Sequence, residues 1–289
     1  MQPPRHASRH RAGRVRRLTR SGLVGVLAVP SLLGLTTAMA TMHPPRPAGR
    51  TTRGDSAAAV PAPAVHSVVG LGDSVPAGSA CGCNDYVRLL GRSLSRPQGS
   101  PVRTSNLAAP GETSADLVTQ LGTVGARSVL AGADVVVVTV GANDVESVDP
   151  TTCRADPGED GDATVAACYG QQLDALTRNL DRALAQVGTL TSASGSRILV
   201  TGYWNVFLDG TVGRARGTAY MHLADAATRA VNARIAEVAK AYGDVFVDLF
   251  TPFRGSDGAR DCSDLLAPDG DHPDAEGHVL IARELASAL

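Results

Sequence analysis

Four valines stand in an unbroken row, Val135-Val136-Val137-Val138, inside the apolar stretch Ala133–Val140. A strand with one wet face alternates apolar and polar residues. A continuous β-branched run instead predicts a strand buried on both faces, the habit of parallel sheets covered by helices. Four other short apolar runs accompany it: Val65–Leu71, Val102–Leu107, Arg197–Thr201 and Val245–Leu249. Between and after them lie helical patterns over Asp85–Leu94, Thr113–Leu121, Gln171–Val187, Ala219–Tyr242 and Asp274–Leu289. Strands alternating with helices predict an α/β sandwich on a mostly parallel sheet, in which ligands gather beyond the carboxyl ends of the strands. The longest irregular stretch is expected over Val145–Ala167.

The N-terminal segment follows other rules. Residues 1–40 hold seven arginines and no acids, then an apolar run from Leu23 to Leu35, then Ala38-Met39-Ala40. That order is a signal peptide's: basic region, apolar region and small-residue cleavage site. The apolar run is short of the ~20 residues a membrane span needs, so cleavage is favoured over a retained anchor. Arg16-Arg17 leaves the twin-arginine route open beside the general one. Residues 41–64, rich in Pro, Ala, Arg and Thr without apolar periodicity, read as a disordered linker, which leaves residues 65–289 for the folded domain. Beyond residue 40 there are 20 basic and 28 acidic residues, a net charge of −8 that disfavours nucleic acid as a partner. Hydrophobic residues at 43% and charged at 19% suit a soluble globular domain, expected to be monomeric. Aromatics at 3% leave its core to Val, Leu, Ile and Ala.

Polar motifs follow the strand signals. Gly70-Leu71-Gly72-Asp73-Ser74 ends the first; its glycines allow a tight turn that exposes the serine, although Asp and Ser also serve as plain helix caps. Gly111, in Ala109-Pro110-Gly111-Glu112-Thr113, offers a bare backbone N–H or simply turns the chain before a Thr113-capped helix. Asn143, in Gly141-Ala142-Asn143-Asp144, is an uncharged donor at a strand end or an Asx-turn. In Asp269-Gly270-Asp271-His272-Pro273, Asp269 can orient the His272 ring and stabilise its charged form; the alternative is a surface histidine in a polar loop. His278 has no such acidic partner and reads as structural. No His/Cys cluster has zinc spacing, and neither phosphate-binding glycine motif stands in the first turn.

The fixed order of these blocks, with Gly277-His278 trailing the last, resembles the SGNH (GDSL-type) hydrolases over residues 66–289. Val75 stands where the eponymous block has leucine. The near-absence of lysine suits a GC-rich genome, hence a secreted, actinobacterial-like member. The resemblance implies a flavodoxin-like three-layer α/β/α sandwich with a five-stranded sheet. It also implies a secreted carboxylic ester hydrolase, esterase or lipase, that needs neither cofactor nor metal. Ser74 would be the nucleophile, His272 the base and Asp269 its orienter. The Ser74 and Gly111 N–H groups and the Asn143 amide would form the oxyanion hole. The substrate would be a small-molecule, lipid or acylated-carbohydrate ester. A carbohydrate or cell-wall O-acetyl esterase is the rival within the family, and an inactive binding module on the same fold the rival outside it. Tyr203, Trp204 and Phe207 follow the fourth strand, and Trp204 and Phe207 are candidates for the substrate pocket.

Five cysteines lie beyond the leader. Cys153 and Cys168 bracket a loop with few apolar residues, and export favours a disulfide between them. Cys81, Cys83 and Cys262 cannot all pair within one chain, and their partners stay open.

Overall fold

The computed structural model describes residues 64–146, 148, 153 and 161–289. The expected leader over 1–40 lies outside the described residues, as does the linker over 41–64 apart from Ala64.

Five strands form the sheet: β1 (Ser67–Gly72), β2 (Arg103–Asn106), β3 (Val135–Thr139), β4 (Arg197–Thr201) and β5 (Val245–Val247). Their order is β2-β1-β3-β4-β5. All four pairings are parallel, so the sheet is wholly parallel among the described residues. The valine row forms the first four of the five residues of β3, all of which are buried. β2 is polar and largely exposed because it is an edge, and the apolar residues that announced it flank the paired segment.

Two one-turn helices begin where strands end: α1 (Ser74–Ala77) after β1 and α5 (Ala142–Val145) after β3. Longer helices are α2 (Tyr86–Gln98), α3 (Ser114–Leu121), α6 (Gly161–Thr191), α8 (Thr218–Tyr242) and α10 (Ala275–Ser287). Shorter ones are α4 (Val124–Leu130), α7 (Gly210–Arg214) and α9 (Phe250–Arg254). α10 packs on α2, while α6 packs on both α3 and α8, which makes the two helical layers of the sandwich. The few aromatics are spent inside: Trp204, Tyr86, Tyr169, Tyr203 and Phe253 are among the largest fully buried side chains.

The reading of Val145–Ala167 as irregular is corrected in its last part, since α6 already starts at Gly161. Val165 and Tyr169 are buried in that extension, and Cys168 is joined to Cys153. Packing and a crosslink hold a helix there across Thr164, Val165, Cys168, Tyr169 and Gly170, whose helix propensities are modest or low. Cys81 is paired with Cys83 across one residue, and Cys262 is a buried free thiol, pushed up to about 12 mainly by burial.

This strand order reverses direction between β1 and β3: the chain leaves β1 for β2 on one side and reaches β3 on the other. A crevice opens at that switch point, beyond the carboxyl ends of the strands. Gly72 makes the approach possible. Its φ is +117°, and a Cβ there would stand 1.8 Å from the Thr139 carbonyl oxygen. The following Asp73 N–H donates to that same oxygen at 3.0 Å.

Candidate active site

Ser74 is the first residue of α1, and Asp73 is its cap, accepting from the Val75 N–H at 3.0 Å. Cap and accessible serine, alternatives on sequence alone, coexist here, since Ser74 is half-buried and lines the crevice. The first N–H of a helix has no intrahelical acceptor, so the Ser74 N–H is available at the crevice. Asp73 is fully buried, and desolvation pushes its carboxyl up to about 7 against the hydrogen bonds it accepts from the Tyr203 hydroxyl and Val75. Beneath it a buried hydroxyl chain crosses the sheet: Tyr86 Oη lies 2.6 Å from Thr139 Oγ1, which lies 2.7 Å from Thr201 Oγ1.

Gly111 sits between β2 and α3 with φ +80° and open space where a side chain would stand. Asn143 lies in α5 and donates from Nδ2 to the Glu112 carbonyl at 2.9 Å. That bond uses one amide hydrogen and fixes the plane, leaving the second hydrogen for a ligand. Asp144 adds a further tie. It accepts from the Ser114 N–H at 2.9 Å and from the Ser114 hydroxyl, which pins the start of α3 to the end of β3. Gly111 and Asn143 therefore hold a fixed relation although they follow different strands. Glu112 is itself buried, and desolvation pushes its carboxyl up to about 7.

His272 sits in a tight loop closed by the Leu266–Pro273 bridge and by the Ala267 N–H donating to the His272 carbonyl at 2.8 Å. The Asp209 N–H holds the loop from outside through the Gly270 carbonyl at 2.7 Å. Within the loop, His272 Nδ1 is 2.8 Å from Asp269 Oδ2 and 3.6 Å from Asp271 Oδ2. Asp269 also accepts the Asp271 and His272 backbone N–H groups at 3.0 and 3.1 Å. Burial alone would raise its carboxyl; those N–H groups and the imidazole outweigh it and hold Asp269 below the usual carboxylate range. Desolvation raises Asp271 and Glu146 instead. Asp269 is thus the nearer carboxylate and the one favoured in its charged form, bonded to Nδ1 of the ring.

These pieces meet in a cavity of about 240 Å³, lined among others by Ser74, Gly111, Asn143 and His272. Asp269 stands behind His272. Trp204 reaches the cavity wall but is 1% exposed and stacks on Phe253 at 4.5 Å between centroids. Phe207, the other pocket candidate, is corrected: it is not among the lining residues and packs against Tyr169 in the core. Sequence reasoning passed over Glu146 and Asp271, which also line the cavity; Tyr203, named with Trp204 after the fourth strand, lines it too and in addition holds Asp73. Asp271 was visible as the neighbour of His272. The Tyr203–Asp73 contact spans 130 residues and leaves no local trace.

The GDSL-like lipase/acylhydrolase family model matches residues 71–280. The chain belongs to that family. As a GDSL-like acylhydrolase it is a carboxylic ester hydrolase. No curated protein matches it in sequence. Solved structures share the fold at low identity. The lipase Lip_vut3 from goat rumen metagenome is 16% identical with a TM-score of 0.61, over 77% of this chain and 97% of that one. The extracellular lipase of Streptomyces rimosus is 24% identical at TM-score 0.55, over 78% and 100%. A variant of Axe2, an acetyl-xylooligosaccharide esterase from Geobacillus, is 18% identical at 0.52, over 77% and 93%. The described helices include none long and apolar enough to cross a membrane.

Proposed function

We propose that residues 65–289 form the catalytic domain of an exported serine esterase that acts through an acyl-enzyme on Ser74. One observation carries this reading: Ser74, Gly111, Asn143 and His272 line one cavity while Asp269 holds His272 Nδ1 at 2.8 Å. Bonded through Nδ1, the neutral ring presents Nε2 as base. It takes the Ser74 proton as the oxygen attacks the ester carbonyl. The Ser74 and Gly111 N–H groups and the free Asn143 hydrogen stabilise the oxyanion. His272 then returns the proton to the departing alcohol. Water, deprotonated by the same ring, releases the acid and restores Ser74.

A cavity of about 240 Å³ lies below the ~300–1,000 Å³ of ordinary ligand pockets and favours a short acyl group. That keeps an O-acetyl esterase in view beside a lipase. Both activities occur among proteins of like fold, so fold does not choose between them. Export rests on the order of charges and apolar residues over 1–40, and the exported chain is expected to begin after Ala40.

A fluorophosphonate probe is expected to label Ser74, and Ser74→Ala to abolish hydrolysis while leaving the circular dichroism spectrum unchanged. Labelling of another serine, or turnover retained by the alanine variant, overturns the assignment. A p-nitrophenyl ester series from acetyl to palmitoyl, run beside acetylated xylan, sets the acyl length.

A further inference from the structure

Six residues after His272, on the inner side of α10, His278 is wholly buried. Neither of its ring nitrogens has a hydrogen-bond partner among the described residues. A buried imidazole normally satisfies at least one nitrogen, and leaving a buried donor or acceptor unmade costs about 1–3 kcal/mol. What faces this ring is sulfur. Cys81 Sγ, Cys83 Sγ and a His278 nitrogen all lie within 4.8 Å of one another. Cys81 is half-buried and Cys83 exposed, so the group opens to solvent on the cysteine side and is closed on the histidine side. The cysteines lie nearly two hundred residues from the histidine, so no sequence spacing announces the set.

We infer that, once the Cys81–Cys83 disulfide is reduced, Cys81, Cys83 and His278 bind one zinc-like divalent ion, so that disulfide and metal site are alternative states of the same residues. Two thiolates and an imidazole are the donors that zinc prefers, at ~2.3 Å to sulfur and ~2.0 Å to nitrogen, within reach of atoms already this close. Two thiolates also cancel the charge of a divalent ion, which suits a half-buried position. An external dithiol passes two electrons and two protons to Cys81 and Cys83 and leaves as its own cyclic disulfide. The metal then displaces both thiol protons to solvent, and water takes the fourth position at the exposed edge.

The test uses the full chain treated with a phosphine reductant, freed of excess reductant without oxygen, and titrated with Co(II) as a spectroscopic stand-in for zinc. The expected result is one ion per chain, with sulfur-to-cobalt charge-transfer absorption and the visible bands of a tetrahedral site; the unreduced chain gives neither. The double variant Cys81→Ser with Cys83→Ser keeps Cys153, Cys168 and Cys262 and is expected to lose the signal. His278→Gln is expected to weaken binding by more than the roughly 10–100-fold that loss of an outer-shell partner costs. Should His278→Gln fail to fold, X-ray absorption of the zinc-loaded wild-type chain is expected to show two sulfur neighbours and one imidazole. A charge-transfer signal surviving the double serine variant, full affinity in a folded His278→Gln chain, or absorption without imidazole scattering overturns the proposal.

Discussion

Replacing Tyr203 with phenylalanine deletes one oxygen atom from beside Asp73, the residue before Ser74. Its hydroxyl donates to Asp73, which is fully buried and caps the helix that begins with Ser74. Because desolvation lifts the Asp73 carboxyl from its ordinary 3.8 to about 7, the same hydrogen bond is made to a neutral acid below that value and to a carboxylate above it. A neutral bond contributes about 0.5–1.5 kcal/mol and a charged one about 1.5–3 kcal/mol. The folded chain holds the Asp73 proton more tightly than the unfolded chain, so this group's contribution to stability declines as pH rises from about 4 to about 7. Losing Tyr203 raises the folded value further and extends that decline to higher pH. The deficit of Tyr203→Phe is therefore expected to be about 1 kcal/mol near pH 5.5 and about 2 kcal/mol near pH 8.5. At roughly 2–4 °C per kcal/mol, that is a melting-point deficit of roughly 2–4 °C in acid and roughly 4–8 °C in base. Thermal unfolding followed by circular dichroism in the two buffers reads it directly. Equal deficits at both pH values, or none at either, would refute the account of Asp73 as a group that titrates in place.

Asn143→Ala removes the amide whose second hydrogen faces the cavity and is expected to cost about 3 kcal/mol, mainly in kcat; steady-state kinetics showing a change in KM alone would make Asn143 a substrate-positioning group. Asp269→Asn is expected to lower kcat by roughly 10⁴-fold, because the amide fixes the wrong ring tautomer. Asp271→Asn, whose carboxylate stands at 3.6 Å and not 2.8 Å from Nδ1, is expected to leave kcat within about ten-fold, and equal losses in the two variants would show that the carboxylates share the role. Replacing Cys153 and Cys168 together with serine reopens a 15-residue loop and is expected to cost about 3 kcal/mol in denaturant unfolding, with no change in m-value beyond the longer unfolded chain.

What was legible in the sequence was what a buried parallel sheet writes locally. β3 announced itself because both of its faces are covered, and the turns that end β1 and β3 carry glycines whose conformations few other residues adopt. Ser74, Asn143 and His272 with Asp269 could be singled out because each motif is contiguous. The illegible parts are contacts between distant segments. Tyr203 reaches Asp73 from the end of β4, and His278 meets the cysteines beyond α1, neither of which periodicity or spacing records. The start of α6 was missed for a different reason: buried Tyr169 and the Cys153 crosslink stabilise residues whose intrinsic helix preference is modest.

α10 packs on α2, and of the proposed catalytic residues Ser74 stands near the beginning of the described fold and His272 near the end. A chain emerging N-terminus first thus carries Ser74, Gly111 and Asn143 long before it carries a base. On the proposed mechanism, turnover can begin only once the segment that carries His272 and α10 has been made and α10 has docked on α2. A chain truncated before residue 272 is therefore expected to lack its base, whatever portion of the sheet it assembles.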